Sequence, residues 1–198
     1  MHRIGFLGAP EATAEVQRMF DEDTAELGYV MNVSRLWAYQ PATVTGLFAL
    51  LGQVNYGDRL SLRQRFILVT ACASAFGDSY CALAWGSKLA KASDAQTAAR
   101  VVEGVDDGLS TGERAMAAWA RKVARDPNGT TAADVQELRD TGLSDSQIFT
   151  ITAFVAFRLA FSTVNDALGL RPDAALRSTA PAAVRDAVTF GRPIEDVA

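Results

Sequence analysis

The sequence is poor in the side chains that most metal sites and covalent active sites use. It has one histidine, His2, and two cysteines in 198 residues. A histidine-based triad, a histidine-rich metal site and a haem ligand are therefore not expected, and no metal site is predicted. Two cysteines also do not make the framework of a disulfide-rich domain. Because no glycine-rich phosphate loop and no nicotinamide or flavin motif is present, no cofactor is predicted.

Positive charge is also in short supply. Lys and Arg together number 19 against 23 Asp and Glu, which gives a net charge of −4. Phosphate binding needs a basic patch, and no cluster of Lys and Arg interleaved with aromatic residues is present. Nucleic acid is therefore not an expected partner.

Long apolar segments that would span a membrane are not expected either. The longest candidate, residues 148–161, is interrupted by Thr150, Thr152 and Arg158, and a span needs about 18 apolar residues. The first residues lack the basic-then-apolar order of a signal peptide. The sequence therefore predicts a cytoplasmic protein without a membrane partner.

Apolar residues at helical spacing are what the chain contains in abundance. They make up 49% of it, and turn-forming residues at Gly28, residues 126–129 and Gly169 separate the periodic segments. No segment shows the alternation of a β-strand. The sequence predicts an all-α bundle of roughly eight to ten helices. We expect a single domain over residues 1–198, with a core at about 10–175 and a C-terminal tail at 176–198.

The most informative segment is residues 60–91. Residues 66–76 are apolar nearly all round, which predicts a buried helix. Gly77 is suited to end this helix, and Asp78 is suited to cap the start of the next one. Cys81 then lies in the first turn of the second helix, where unpaired N–H groups and the helix dipole act on ionisable groups.

This helix pair resembles the carboxymuconolactone decarboxylase and alkyl hydroperoxidase D (AhpD) superfamily. The redox members carry the motif Glu-x11-Cys-x2-Cys-x3-His. When the motif is aligned without gaps, its four positions hold Phe66, Asp78, Cys81 and Trp85, so only Cys81 matches. The CxxC pair of the family is therefore degenerate in this chain.

Two further segments, residues 28–41 and residues 157–169, resemble the peroxidase-related branch of the same superfamily. Together the resemblances cover about residues 10–175. They imply an AhpD-like helical bundle and a homo-oligomer (dimer, trimer or hexamer) in which helices complete each other's sites across the interface.

The substitutions change the chemistry that this scaffold can perform. Asp78 cannot form a disulfide with Cys81, so a CxxC peroxidase cycle within one chain is not expected. Cys72 lies mid-helix and is expected to be packed. The helix dipole lowers the pKa of Cys81 while the Asp78 carboxylate raises it, so we expect a near-ordinary thiol. A packed, inert Cys81 and a catalytic one both remain open.

We predict a pocket lined by Phe66, Asp78, Tyr80, Cys81 and Trp85. The candidate catalytic residues are Asp78, as a general base, Cys81 and Tyr80. There are structural alternatives for two of them. Asp78 would then be a simple helix cap, and Tyr80 a core residue with its hydroxyl at the surface. Phe66 and Trp85 are candidate substrate-binding residues, because two aromatic rings form an apolar wall for a ring-bearing or acyl ligand. The structural alternative is that the two rings only fill the former site by packing.

Arg158 is a lone charge in an apolar helix, which is unusual without a partner. We favour an ion pair, with Asp166 two turns further on or with an acid elsewhere. The alternative is that Arg158 binds a substrate carboxylate, which would suit the lactone-acid chemistry that the family resemblance implies. Asn165 and Asp166 are expected to cap the helix or hold an interface.

Three classes of function follow from these observations. The first is a cofactor-free enzyme that acts on a small organic substrate by acid/base chemistry: decarboxylation, isomerisation or lactone opening. The second is a residual thiol peroxidase that uses one cysteine and an external thiol. The third is a non-catalytic oligomeric or ligand-binding relative. We rank the first class highest, with little separating it from the third.

Overall fold

The computed structural model describes residues 4–58 and 60–196, apart from the side chains of residues 56–58. His2 lies outside the described residues. The described part of the chain forms eleven α-helices and no β-strand, and eight of the helices have seven or more residues. The helices are α1 (Ala14–Leu27), α2 (Asn32–Trp37), α3 (Pro41–Asp58), α4 (Leu62–Phe76), α5 (Ser79–Ala92), α6 (Ala95–Glu103), α7 (Thr111–Arg125), α8 (Ala132–Asp140), α9 (Asp145–Ala167), α10 (Leu176–Thr179) and α11 (Ala182–Ala187). The predicted all-α fold is confirmed.

Helix α4 lies at the centre of the bundle. It contacts α5, α6, α7 and α9, and the Ile67 and Leu68 side chains are completely buried. A helix with neighbours on nearly every side has no polar face, which is why residues 66–76 are apolar all round.

Helix α9 is the longest element, with 23 residues. An 18-residue window of α9 has a mean hydropathy of 1.5, so by length and composition alone α9 is able to cross a membrane. The expectation that no segment reaches this length is wrong, because the helix extends beyond residues 148–161 at both ends. Since α9 packs against α3, α4 and α7, its apolar composition is also that of a core helix.

The C-terminal segment after α11 returns to the start of α5. Ser79 Oγ donates to the carbonyl of Arg192 over 2.7 Å, and the Arg192 N–H donates back to Ser79 Oγ over 3.0 Å. Gly191 has a φ of +69°, and a Cβ atom there would lie 2.6 Å from the carbonyl oxygen of Gly77. The tail is therefore fixed against the α4–α5 junction.

Candidate active site

The α4–α5 junction positions Asp78. Gly77 ends α4 with a φ of +89°, and its N–H donates to the carbonyl of Ala73. Asp78 caps α5, because its Oδ1 accepts the backbone N–H of Cys81 over 2.9 Å. The predicted break at Gly77 and the predicted cap at Asp78 are both confirmed.

The second oxygen of Asp78 faces α9. Ser162 Oγ donates to Asp78 Oδ2 over 2.5 Å and lies 3.8 Å from Cys81 Sγ. Asp78 is 0% exposed and Cys81 is 2% exposed. Ser162 therefore joins the carboxylate and the thiol into one buried cluster.

Arg158 lies one turn before Ser162 on α9 and supplies the positive charge of this cluster. Its Nη2 lies 3.5 Å from Cys81 Sγ, and the residue is 3% exposed. Within the described residues, no carboxylate lies within 4.0 Å of its guanidinium, and its buried Nε has no hydrogen-bond partner. A buried cation without a carboxylate partner is costly, by several kcal/mol as an order of magnitude.

Aromatic rings surround the guanidinium. Its Cζ lies 4.7 Å from the ring centroid of Trp85 and 5.1 Å from that of Phe161. The Phe66 and Trp85 rings are in contact, with centroids 5.8 Å apart. The cation–π contacts of Arg158 with Trp85 and Phe161 stabilise its charge in part, by about 0.5–2 kcal/mol each.

Lys88 brings a second cation to Trp85, with its Nζ 4.4 Å from the ring centroid. Although the residue as a whole is exposed, burial of its ammonium lowers its pKa, and the charge of Arg158 lowers it further. The outer side of the cluster therefore carries positive charge, which favours the approach of an anion.

Comparison with known proteins gives the same architecture. No protein-family model matches the chain, and no curated protein matches it. An uncharacterized peroxidase-related protein with an alkylhydroperoxidase AhpD core, from Ralstonia eutropha JMP134, superposes with a TM-score of 0.76 at 25% identity over 89% of this chain and 96% of that one. A peroxidase-related protein from Silicibacter sp. TM1040 gives 0.77 at 24% identity, over the same shares. The chain has the AhpD-like fold.

A debrominase, Bmp8, shares the AhpD-like fold at lower identity. Its apo structure gives a TM-score of 0.70 at 18% identity, over 94% of this chain and all of that one. A Bmp8 variant with one cysteine replaced by alanine was solved in complex with 2,3,4-tribromopyrrole and gives 0.67 at 19% identity, over 86% of this chain and 94% of that one. At these identities the likeness establishes the fold alone.

The AhpD-like scaffold brings together most of the predicted site residues. Asp78 and Cys81 touch each other and Ser162, while Phe66 and Trp85 touch each other beside Arg158. No group of three His, Cys, Asp or Glu side chains that could hold a metal ion occurs within residues 4–58 and 60–196.

The favoured ion pair between Arg158 and Asp166 is wrong. Arg158 faces Cys81, because positions 158 and 162 lie on the buried face of α9. Asp166 lies on the half-buried edge of the helix, near Arg192. Burial and the nearby Asp78 charge raise the pKa of Asp166 to about 7, against the lowering effect of Arg192. Neighbouring Asn165 accepts a hydrogen bond from Trp37 Nε1 over 2.8 Å, which ties α9 to α2.

The expectation of a near-ordinary Cys81 thiol is also wrong. Burial raises the pKa of Cys81 well above its usual value, the Asp78 charge raises it further, and Arg158 and the Ser162 hydrogen bond oppose these effects. Burial of the thiol has the largest effect on its pKa, and burial does not follow from the position of Cys81 in the first turn of α5. Cys72 is packed as predicted, and burial raises its pKa to about 12.

Tyr80 lies on a different side of α5 from the cluster. Its hydroxyl is buried and donates to Asp173 Oδ2 over 2.5 Å, so it is not at the surface. Burial and the Asp173 charge raise the pKa of Tyr80 well above its usual value. No contact joins its hydroxyl to Asp78 within the described residues, and we leave Tyr80 out of the proposed catalytic groups.

Two buried polar residues, Ser162 and Asp173, were not predicted from the sequence. Ser162 follows Arg158 by four positions, so one face of an apolar helix carries both side chains, and that spacing was the available signal. Asp173 lies 93 positions from Tyr80, and no local pattern indicates such a contact.

Proposed function

We propose that this AhpD-like protein is a cofactor-free cytoplasmic enzyme that transfers a proton to or from a small organic acid, in a decarboxylation, isomerisation or lactone opening. The observation that carries the proposal is the missing countercharge of the Arg158 guanidinium. Within the described residues, this buried guanidinium has an unpaired Nε and no carboxylate within 4.0 Å, and it lies against the Cys81 thiol and aromatic rings. A substrate carboxylate supplies the missing countercharge through charge-assisted hydrogen bonds.

Cys81 is the group proposed to exchange the proton. Its raised pKa keeps the thiol protonated at neutral pH, so it holds the proton that the substrate carbon takes. In a decarboxylation, the bond between the carboxylate and the neighbouring carbon breaks and CO₂ leaves with the electron pair remaining on carbon. That carbon takes the proton of Cys81, the thiolate is stabilised by Arg158, and it regains a proton from solvent after product release.

Asp78 and Ser162 hold Cys81 in place in this proposal. Asp78 is fully buried and both of its oxygens accept hydrogen bonds, so it acts on the substrate through Cys81. Ser162 lies between the carboxylate and the thiol, and it fixes the distance between them. Phe66 and Trp85 exclude water from the guanidinium and form an apolar wall for the substrate.

Proton NMR in D₂O tests this function. A panel of small organic acids is incubated with the protein, and deuterium incorporation at carbon or loss of the carboxylate is followed. We expect at least one acid to react, and both Cys81→Ser and Arg158→Gln to slow the reaction at least 100-fold. Cys72→Ser is the matched control, because Cys72 is a packed thiol on α4, and it should react at the wild-type rate.

Single-cysteine thiol chemistry is the second candidate. The contact between Arg158 and Cys81 favours it, since a cation stabilises a thiolate. The thiolate attacks a peroxide, the O–O bond breaks, and a sulfenic acid and water or an alcohol form. Two equivalents of an external thiol then reduce the sulfenic acid to the Cys81 thiol, releasing its oxygen as water and leaving as a disulfide. Trapping of a sulfenic acid on Cys81, with peroxide consumption at the expense of added thiol, would select this candidate.

The third class, ligand binding without catalysis, is distinguished by the same NMR measurement. Saturable binding of an acid that depends on Arg158, with no bond broken or deuterium incorporated across the panel, would assign the chain to that class and overturn the proposed enzyme.

A further inference from the structure

A cavity of about 340 Å³ lies between α1, α2, α3 and α9. Its walls are mostly apolar and include three aromatic rings. Trp37 and Phe161 are stacked with centroids 5.5 Å apart and planes 5° apart, and Phe48 meets Phe161 nearly edge-on at 5.5 Å. Cavities of this volume are at the lower end of the range for small-molecule sites, and flat apolar walls suit a planar ring.

The cavity and the buried cluster share two of these rings. Arg158 Cζ lies 5.1 Å from the centroid of Phe161 and 6.0 Å from that of Phe48, and both rings also line the cavity. The unpaired cation is therefore separated from the cavity by little more than the thickness of an aromatic ring.

Two hydroxyl side chains, Ser34 and Thr45, lie in the cavity wall. Ser34 is 8% exposed and lines the cavity. Within the described residues, its hydroxyl takes part in no hydrogen bond. A serine hydroxyl both donates and accepts hydrogen bonds, so at a cavity wall it is a position where a polar ligand atom can bind.

We propose that this cavity binds the ring of a planar aromatic acid whose carboxylate pairs with Arg158. The inference rests on the proposed function, because it names the substrate class for the same cluster. Phe48 is 46% exposed, and rotation of its side chain joins the cavity to the guanidinium, since exposed side chains change rotamer within nanoseconds. Met19 and Met31, which also line the cavity, adapt their shape to the ring.

Methyl NMR of the intact chain with 2-naphthoate as the probe tests the site without any substitution. The sequence has four methionines, which are labelled with ¹³C at their methyl groups and assigned by Met→Leu replacements. We expect 2-naphthoate to shift the Met19 and Met31 signals and to leave Met116, which is buried in α7, unchanged. Unchanged Met19 and Met31 signals at millimolar 2-naphthoate would overturn the proposed site.

Three variants separate this inference from the proposed function. For each variant, calorimetry measures the binding of 2-naphthoate and of neutral 2-naphthamide. Thr45→Trp fills the cavity and should weaken both ligands at least 10-fold, whereas Thr43→Trp, on the opposite face of α3, should change neither more than twofold. Arg158→Gln should weaken only the naphthoate.

The pattern of losses then decides which proposal fails. Equal binding by wild type and Thr45→Trp would overturn the aromatic site and leave the role of Arg158 standing. If Arg158→Gln left naphthoate binding unchanged while Thr45→Trp weakened it, the cavity assignment would survive and the proposed carboxylate partner would be wrong.

Discussion

Two opposing charges act on the Cys81 thiol. Asp78 raises the pKa of Cys81 and Arg158 lowers it, while burial raises it most. Asp78 also caps α5, and asparagine is an equally good cap. The charge of Asp78 can therefore be removed without removing the cap.

Asp78→Asn should lower the apparent pKa of Cys81, because the remaining charge beside the thiol is positive. The pH dependence of alkylation by iodoacetamide measures this value in a Cys72→Ser background, where only Cys81 reacts. Asp94→Asn, which changes the cap of α6 instead, is the control and should leave the profile unchanged. A profile unaltered by Asp78→Asn would contradict the assigned electrostatics.

Asp166 gives a pH dependence of stability with a definite sign. Its pKa is about 7 in the folded chain and about 3.9 when unfolded. Between these values the folded state binds the additional proton, so stability falls as the pH rises from about 4 to about 7 and is level above that range. Asp166→Asn should remove this loss, on the order of 1 kcal/mol after allowance for partial solvent screening. Urea unfolding at pH 5 and pH 8 measures it, and equal pH dependence of both proteins would contradict the assignment.

The residues of the site were predictable where their roles are local. Gly77 and Asp78 are adjacent in sequence and their turn and cap follow from residue type, whereas Ser162 and Arg158 join the site only through the packing of α9 on α4. Complete burial of Cys81 depends on that packing as well. The error in the predicted thiol pKa therefore has the same origin as the missed serine.

At the scale of elements, the start of α5 is held from two sides. Helix α4 ends at Gly77, and the C-terminal segment crosses the same junction through the hydrogen bonds between Ser79 and Arg192. Sequence periodicity and capping residues indicated the individual helices well, including the buried α4. They gave no information about the returning tail, because its contacts lie 113 positions apart.

Gly191→Ala should destabilise this junction by about 1–3 kcal/mol, since a side chain is strained at a φ of +69° and its Cβ would meet Gly77 and Ser79. Gly52→Ala is the matched control in the interior of α3, where a Cβ meets nothing within 4 Å. That substitution should stabilise the chain by about 0.5–1 kcal/mol. Urea unfolding compares the two, and an unchanged midpoint for Gly191→Ala would show that the tail does not hold the junction.

At the scale of the whole molecule, the apolar side chains at the surface bear on self-association. Leu50 on α3 and Phe149 on α9 are 44% and 73% exposed. Helix α3 packs mainly against α9, so these side chains lie on neighbouring elements. We propose that they form the interface of a homo-oligomer, as the family resemblance implies.

Light scattering after size exclusion measures the oligomer. The wild-type chain should elute at two or more times its mass of 21.2 kDa, and Leu50→Glu should shift it toward the monomer. Leu27→Glu, at an equally exposed position on α1, should leave the mass unchanged. A monomeric wild-type protein would contradict the prediction, and so would equal dissociation by both substitutions.

The role of Arg158 is tested most directly by a crystal structure of the chain grown with saturating benzoate. The account predicts that a benzoate oxygen lies within about 3 Å of an Arg158 guanidinium nitrogen, at hydrogen-bond distance, with Cys81 Sγ beside the bound acid. The contrary result is Arg158 paired with a carboxylate of the protein itself, or Arg158 still in contact with only the thiol and the rings while benzoate binds elsewhere.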